Sequence, residues 1–155
     1  MNTLERIEDF LGQKRLAIVG VSHKPQDFSR ALFREFQKRG YDVVPVNPAA
    51  REIEGRPCFA TVREVQPPVS TVLLMTPAAV TEAVARDCAG AGVQRVWMYR
   101  AGGSGGAVSS EAVRFCESQG ISVIPGECPL MFLPGGAWFH RFHGWVKKIT
   151  GSYPS

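Results

Sequence analysis

The sequence predicts an α/β protein: a doubly wound, parallel five-stranded sheet with helices on both faces, followed by a C-terminal helical tail. Three observations carry this expectation. Short apolar runs alternate with segments of helical periodicity along most of the chain, as successive strand–helix units do. The run Val69–Met75 (VSTVLLM) is apolar almost throughout, which suits a strand covered on both faces. The run Leu16–Val19 ends in Gly20 and a polar loop, after which a helical pattern begins near Ser29. Right-handed crossovers then make the doubly wound arrangement the natural result.

Each element has its own signal. Leu4, Ile7, Phe10 and Leu11 fall at helical spacing and Gly12 stops the pattern, giving a short amphipathic helix over residues 1–13 that packs on the domain. Leu16–Val21 is the first strand, and Arg30–Arg39 is a helix with Leu32, Phe33 and Phe36 on one face and Gly40 at its end. Tyr41–Val46 (YDVVPV) is the second strand. Asn47-Pro48 ends it, because proline donates no ladder hydrogen bond and restricts the residue before it. Residues 49–68 connect to the third strand, Val69–Met75, with one short helix near Thr61–Val65. Pro77–Ala91 is helical, Pro77 suiting its first turn. Val93–Tyr99, a helix over 107–119 closed by Gly120, and the strand Ile121–Pro125 complete a domain spanning residues 14–128. Residues 129–155 form an aromatic and basic extension, helical over Trp138–Ile149. The most flexible composition is that of 101–110, AGGSGGAVSS.

A chain of 155 residues supports one domain with a real core. Hydrophobic residues make up 45% and charged residues 21%, and the net charge is +4 without any Lys/Arg block. That balance argues against a nucleic-acid partner and suits an anionic small ligand. The opening MNTLERIEDFLGQKR carries charge throughout, unlike a signal peptide. No apolar stretch approaches the ~18 residues of a membrane span, so no membrane partner is expected. Cys58, Cys88, Cys116 and Cys128 are widely spaced with no CxxC pair. They point to a reduced, cytoplasmic protein without structural zinc.

In such a fold, ligands bind beyond the carboxyl ends of the strands. The residues that matter are therefore Gly20-Val21-Ser22, Asn47-Pro48, Thr76-Pro77, Tyr99-Arg100 and Gly126-Glu127-Cys128. The first loop lacks the dinucleotide fingerprint G-x-G-x-x-G: Ser22 stands at the second glycine and no third follows. Gly20 still allows a sharp turn and a close backbone approach. Amides around Ser22 and at the start of the next helix would face an anion, aided by the helix dipole. The hydroxyls of Ser22 and Ser29 can donate, and Lys24 and Arg30 can neutralise charge. Without a ligand, the same residues suit a tight turn and a helix cap. The second strand ends VPVNP, with no carboxylate for a ribose, and Arg51 follows. Guanidinium matches phosphate, so a phosphorylated ribose fits better, either the 2′-phosphate of NADP or the 3′-phosphate of coenzyme A.

IVGVS (18–22), GYDVVPVNP (40–48), IEGRPCFATVREV (53–65), VSTVLLMTP (69–77), GVQRVWM (92–98) and GISVIPGEC (120–128) form an ordered set. This set resembles the small CoA-binding proteins whose Rossmann-like domain is similar to the CoA-binding domain of the succinyl-CoA synthetase α subunit. The resemblance implies coenzyme A as cofactor, with Gly20, Val21 and Ser22 at its pyrophosphate, Asn47 and Pro48 bordering the adenosine, and Thr76 and Pro77 flanking it. Charge and location make Lys24, Arg30 and Arg51 candidates for the ribose phosphate. The chain departs from the pattern at MTPAAV (75–80) and MYRAGGSGG (98–106).

A catalytic reading finds less. His140-x-x-His143 offers half of a metal site without a third ligand at a recognisable spacing. Cys128 is a candidate thiol contact for the end of the ligand, and Glu127 a base without an evident substrate proton. In the tail, Phe139, Phe142 and Trp145 recur at helical spacing beside Phe132 and Trp138, which suits packing on the domain or on a second subunit. The sequence thus reads as a protein that binds CoA or acyl-CoA without complete catalytic machinery, as a homodimer. An NADP-dependent oxidoreductase and an interaction module that has lost its nucleotide are the alternatives.

Overall fold

The computed structural model describes residues 1–100 and 106–133. Five strands form one sheet: β1 (Arg15–Val19), β2 (Asp42–Val46), β5 (Thr71–Leu74), β6 (Arg95–Met98) and β7 (Ser122–Pro125). Their order is β2-β1-β5-β6-β7 and every neighbouring pair is parallel. Val19 lies opposite Val46 on one side and Leu74 on the other, Leu74 opposite Met98, and Met98 opposite Pro125. All five strands therefore end on one rim, and whatever follows them is gathered there.

The pleat divides the core. Leu16, Ile18, Val43, Leu73, Trp97 and Ile124 face helices α1 (Thr3–Leu11) and α2 (Phe28–Lys38), meeting Ile7, Phe10, Leu32, Phe33 and Phe36. Ala17, Val19, Val44, Val46, Val72, Leu74, Val96 and Met98 face α3 (Ala78–Gly90) and α4 (Ser110–Ser118), meeting Ala85, Cys88, Ala112 and Cys116. The alternation of burial along each strand thus places one pair of helices on each face. Trp97 is fully buried; its indole N–H donates to the carbonyl of Gly126 at 2.7 Å, and Phe10 meets its ring edge-on at 5.2 Å.

Strands and helices fall where the apolar periodicity places them, with ends shifted by a few residues. The connection 49–68 holds more than expected. Glu52–Ile53 (β3) and Arg56–Pro57 (β4) form a two-stranded antiparallel ribbon. Its turn puts Glu54 at φ 50° and Gly55 at φ 75°. The short helix near Thr61–Val65 is a single 3₁₀ turn, Val62–Glu64. Beyond β7, Pro129–Met131 is another 3₁₀ turn, Leu133 is buried, and the ring of Phe132 lies 6.2 Å from that of Trp97. The expectations for Trp138, Phe139, His140, Phe142, His143 and Trp145 lie outside the described residues. No helix among the described residues is long and apolar enough to cross a membrane.

Candidate ligand-binding site

The strand order places a topological switch between β1 and β5. The chain leaving β1 crosses to the α1/α2 face, and the chain leaving β5 crosses to the α3/α4 face. Ligands of doubly wound sheets sit in the crevice so formed. Here the two departing loops touch. Gly20 adopts φ +93°, and a Cβ on it would lie 2.8 Å from the Met75 carbonyl oxygen. Both the left-handed backbone and the contact demand glycine.

Two clefts meet at this saddle, sharing Gly20 and Thr76 as lining. The first, about 470 Å³, runs between the end of β2 (Val46, Asn47, Pro48), the segment Ala60–Val62 and one face of α3. The second, about 430 Å³, lies between the start of α2 (Asp27, Phe28, Ser29), Met75–Pro77 and Tyr99, with Gly106 and Ala107 beyond. The Phe28 and Tyr99 rings approach to 5.7 Å beside it. Burial first, and then contact with the Cys128 thiol, push the Tyr99 hydroxyl up to about 12, so it stays a neutral donor.

The loop between β1 and α2 is held by its own side chains. Asp27 caps α2, accepting from the Ser29 amide at 2.9 Å and from the Ser29 hydroxyl at 2.6 Å. The Ser29 oxygen in turn accepts from the Ser22 amide at 2.8 Å, and the Ser22 hydroxyl accepts from the Lys24 amide at 3.0 Å. Arg30 is buried. It pairs with Glu54 at 2.5 Å and donates to the carbonyls of Ser22 and His23 at 3.3 and 3.2 Å. Arg34 joins the same carboxylate at 3.2 Å. The Ser29 hydroxyl and the Arg30 charge, expected at a ligand, instead hold the loop together, since a hydroxyl and a guanidinium so buried are stable only when bonded.

The other predicted residues gather on the rim. Asn47 bridges the two loops: its side-chain amide donates to the Val21 carbonyl at 2.8 Å, and its oxygen accepts from the Ala49 amide at 2.7 Å. Thr76 is buried and its hydroxyl meets that of Thr81 at 2.8 Å. Pro48 and Pro77 are exposed and line the first and second cleft respectively, while Lys24 and Arg51 are exposed but line neither. Pro77 caps α3 without a side-chain bond. The amides of Ala78 and Ala79, like those of Val21 and His23, have no partner among the described residues. Cys128 does not line the cleft; it is 3% exposed behind Tyr99. A thiol so covered does not reach a ligand without movement, which corrects the expected contact.

Asp27 and Glu54 give the loop a pH dependence. The Ser29 hydroxyl, then the Ser29 amide, hold the Asp27 carboxyl below its ordinary value. Burial opposes ionisation of Glu54, but the bonds and charges of Arg30 and Arg34 together outweigh it and lower its pKa too. A depressed folded value gives stabilisation that is whole above the unfolded value and is lost as pH falls through the folded one. Protection of the amides over residues 20–30, taken as exchange relative to the intrinsic rate at each pH, is therefore expected to fall below about pH 4, and Glu54→Gln to flatten that profile. Unchanged protection across this range would show that the carboxylates do not secure the loop.

The profile of a family described as CoA binding domain matches residues 14–134. This chain belongs to that CoA-binding domain family. Among its relatives, the uncharacterized protein YneT of Bacillus subtilis is 27% identical over 115 residues, covering 74% of this chain and 82% of YneT. The ADP-forming acetate–CoA ligase I of Archaeoglobus fulgidus is 28% identical over 120 residues, covering 74% of this chain but only 18% of the ligase. Of solved structures, a conserved hypothetical protein from Pyrococcus furiosus superposes with a TM-score of 0.65 at 30% identity, covering 74% of this chain and 95% of that one. The CoA-binding domain therefore occurs both in small proteins and as a minor part of large ligases related to succinyl-CoA synthetase.

Proposed function

We propose that the chain binds coenzyme A or an acyl-CoA across the switch point. The adenosine occupies the first cleft, the diphosphate lies over Gly20-Val21-Ser22, and the pantetheine arm runs toward the second cleft. The observation that carries this reading is the saddle itself. Two clefts of comparable size meet where only glycine fits, in a chain of the CoA-binding domain family. A ligand with two arms joined by a diphosphate suits that shape.

The unpartnered amides of the exposed residues His23, Ala78 and Ala79 support the placement, since backbone N–H groups at such a rim favour anions. So do the exposed cations Lys24 and Arg51. The carboxylate that would hold a free ribose is missing from the end of β2, where Asn47 bonds the neighbouring loop instead, and Arg51 is free to meet a ribose phosphate. The reading is one of binding, for storage, presentation or sensing of the ligand.

A melting-temperature panel of CoA, acetyl-CoA, dephospho-CoA, NADP and NAD tests it. CoA at one hundred times its Kd stabilises by about 2.7 kcal/mol, which for a chain of this size raises the Tm by roughly 5–10 °C. Dephospho-CoA is expected to bind about tenfold more weakly, as loss of one charge-assisted phosphate contact implies. A shift with NADP and none with CoA would favour a dehydrogenase. No response to CoA at millimolar concentration would end the proposal.

A further inference from the structure

The first cleft is almost entirely apolar along its walls. Val19, Val46, Val62, Val80 and Val84 supply branched side chains, with Ala60 and Ala83 between them. One charged side chain lines it: Asp87. Val80, Ala83, Val84 and Asp87 recur at helical spacing, so a single stripe of α3 forms this wall. The stripe starts beside Thr76 at the saddle and ends at Asp87. The rise from Val80 to Asp87 is about 10 Å along the helix axis, a distance suited to a nucleoside laid along it.

Asp87 is held in place by the neighbouring 3₁₀ turn. One carboxylate oxygen accepts from the Val62 amide at 2.8 Å, and the other pairs with Arg63 Nε at 3.2 Å. Arg63 lies flat on α3 at Gly90, where a Cβ would collide with the guanidinium. The Asp87 side chain remains 22% exposed. Each carboxylate oxygen has two lone pairs, so after these two bonds the group still accepts from the cleft.

We infer that Asp87 selects the base: it accepts a hydrogen bond from the exocyclic amine of adenine and disfavours a base that presents a carbonyl oxygen at that edge. The inference rests on the proposed nucleotide reading and adds to it the residue that discriminates the base. An apolar slot alone accepts any flat ring of the right size. A fixed acceptor at its far end distinguishes an amine from a carbonyl, because the carbonyl would face the carboxylate with no proton between them.

Calorimetric titration of the full chain with CoA and with its deaminated counterpart, which carries hypoxanthine, tests this. The wild type is expected to bind CoA at least 10-fold more tightly than the hypoxanthine form. Asp87→Asn keeps an oxygen for the Val62 amide and offers an amide N–H₂ to the carbonyl, so it should bring the two ligands within about threefold of each other. Asp87→Glu retains a carboxylate and should keep the preference for the amine, with weaker binding overall. The wild-type ratio is read without any variant and decides the matter even if Asp87→Asn does not fold. Equal binding of both ligands by the wild type, or an unchanged ratio in a folded Asp87→Asn protein, would overturn the role of Asp87 while leaving CoA binding intact. Failure of the wild type to bind CoA would overturn both.

Discussion

Gly20→Val is expected to abolish detectable CoA binding and to lower the melting temperature by roughly 10 °C. Two costs add. The left-handed backbone at φ +93° strains any residue with a Cβ, by about 1–2 kcal/mol. The new side chain also meets the Met75 carbonyl carbon and oxygen, at 2.9 and 2.8 Å for the Cβ alone. Those are backbone atoms of the adjoining β5 loop and do not rotate away, so the overpacking costs about another 1–3 kcal/mol. The saddle between the clefts would be pushed apart where the diphosphate is placed. Gly40 supplies the comparison. It has φ +87° but nothing within 4 Å of a Cβ, so Gly40→Ala should cost only the backbone part, about 1 kcal/mol, and leave binding unchanged. Equal effects at the two glycines, read by thermal melting and calorimetry, would mean that the loop contact at Gly20 has no special role.

Arg30→Met is expected to destabilise the protein by about 2–3 kcal/mol and to weaken CoA binding by more than tenfold. The side chains of the pair are 10% and 18% exposed, and removing one partner leaves the other charge poorly solvated. Arg34 remains on Glu54, which keeps the cost below that of a wholly orphaned ion. The effect on binding comes through the loop, because Arg30 also holds the Ser22 and His23 carbonyls. Arg34 itself is 44% exposed on its side chain, so Arg34→Met should cost less than about 1 kcal/mol. In the double variant Arg30→Met/Glu54→Gln part of the stability returns, since the unpaired charge is gone, whereas binding does not. Residues in one network do not act additively. A double variant that binds CoA like the wild type would show that the clamp matters only for folding.

These residues also show where sequence reading succeeds and stops. VSTVLLM reads as an interior parallel strand because burial on both faces removes polar positions, and β5 lies in the middle of the sheet with Thr71–Leu74 all buried. Gly20, Asn47 and Thr76 are recognisable as rim residues because they follow apolar runs. What each one does there is not: Asn47 holds the Val21 carbonyl, a bond between segments 26 residues apart. Arg30 and Arg34 pair with Glu54, 24 and 20 residues away, on a ribbon whose two-residue strands are too short to leave a periodicity. The Glu54-Gly55 dipeptide was its one local sign, since both residues take φ above zero. Asp27 and Ser29 are both residue types that cap helices, and only the bond from the Ser29 amide to the Asp27 carboxylate tells them apart. Asp87 looked like any charge on an exposed helix. Only the folded chain shows that its helical stripe lines a cleft.

The central claim is that the amides of the saddle meet a diphosphate. Titrating ¹⁵N-labelled protein with CoA and following its amide resonances tests this most directly. Binding should move His23, Ala78 and Ala79 most, with smaller shifts along the α3 stripe and none on α1. Saturable binding that leaves those three amides unmoved, or that centres on the opposite end of the sheet, would contradict the account.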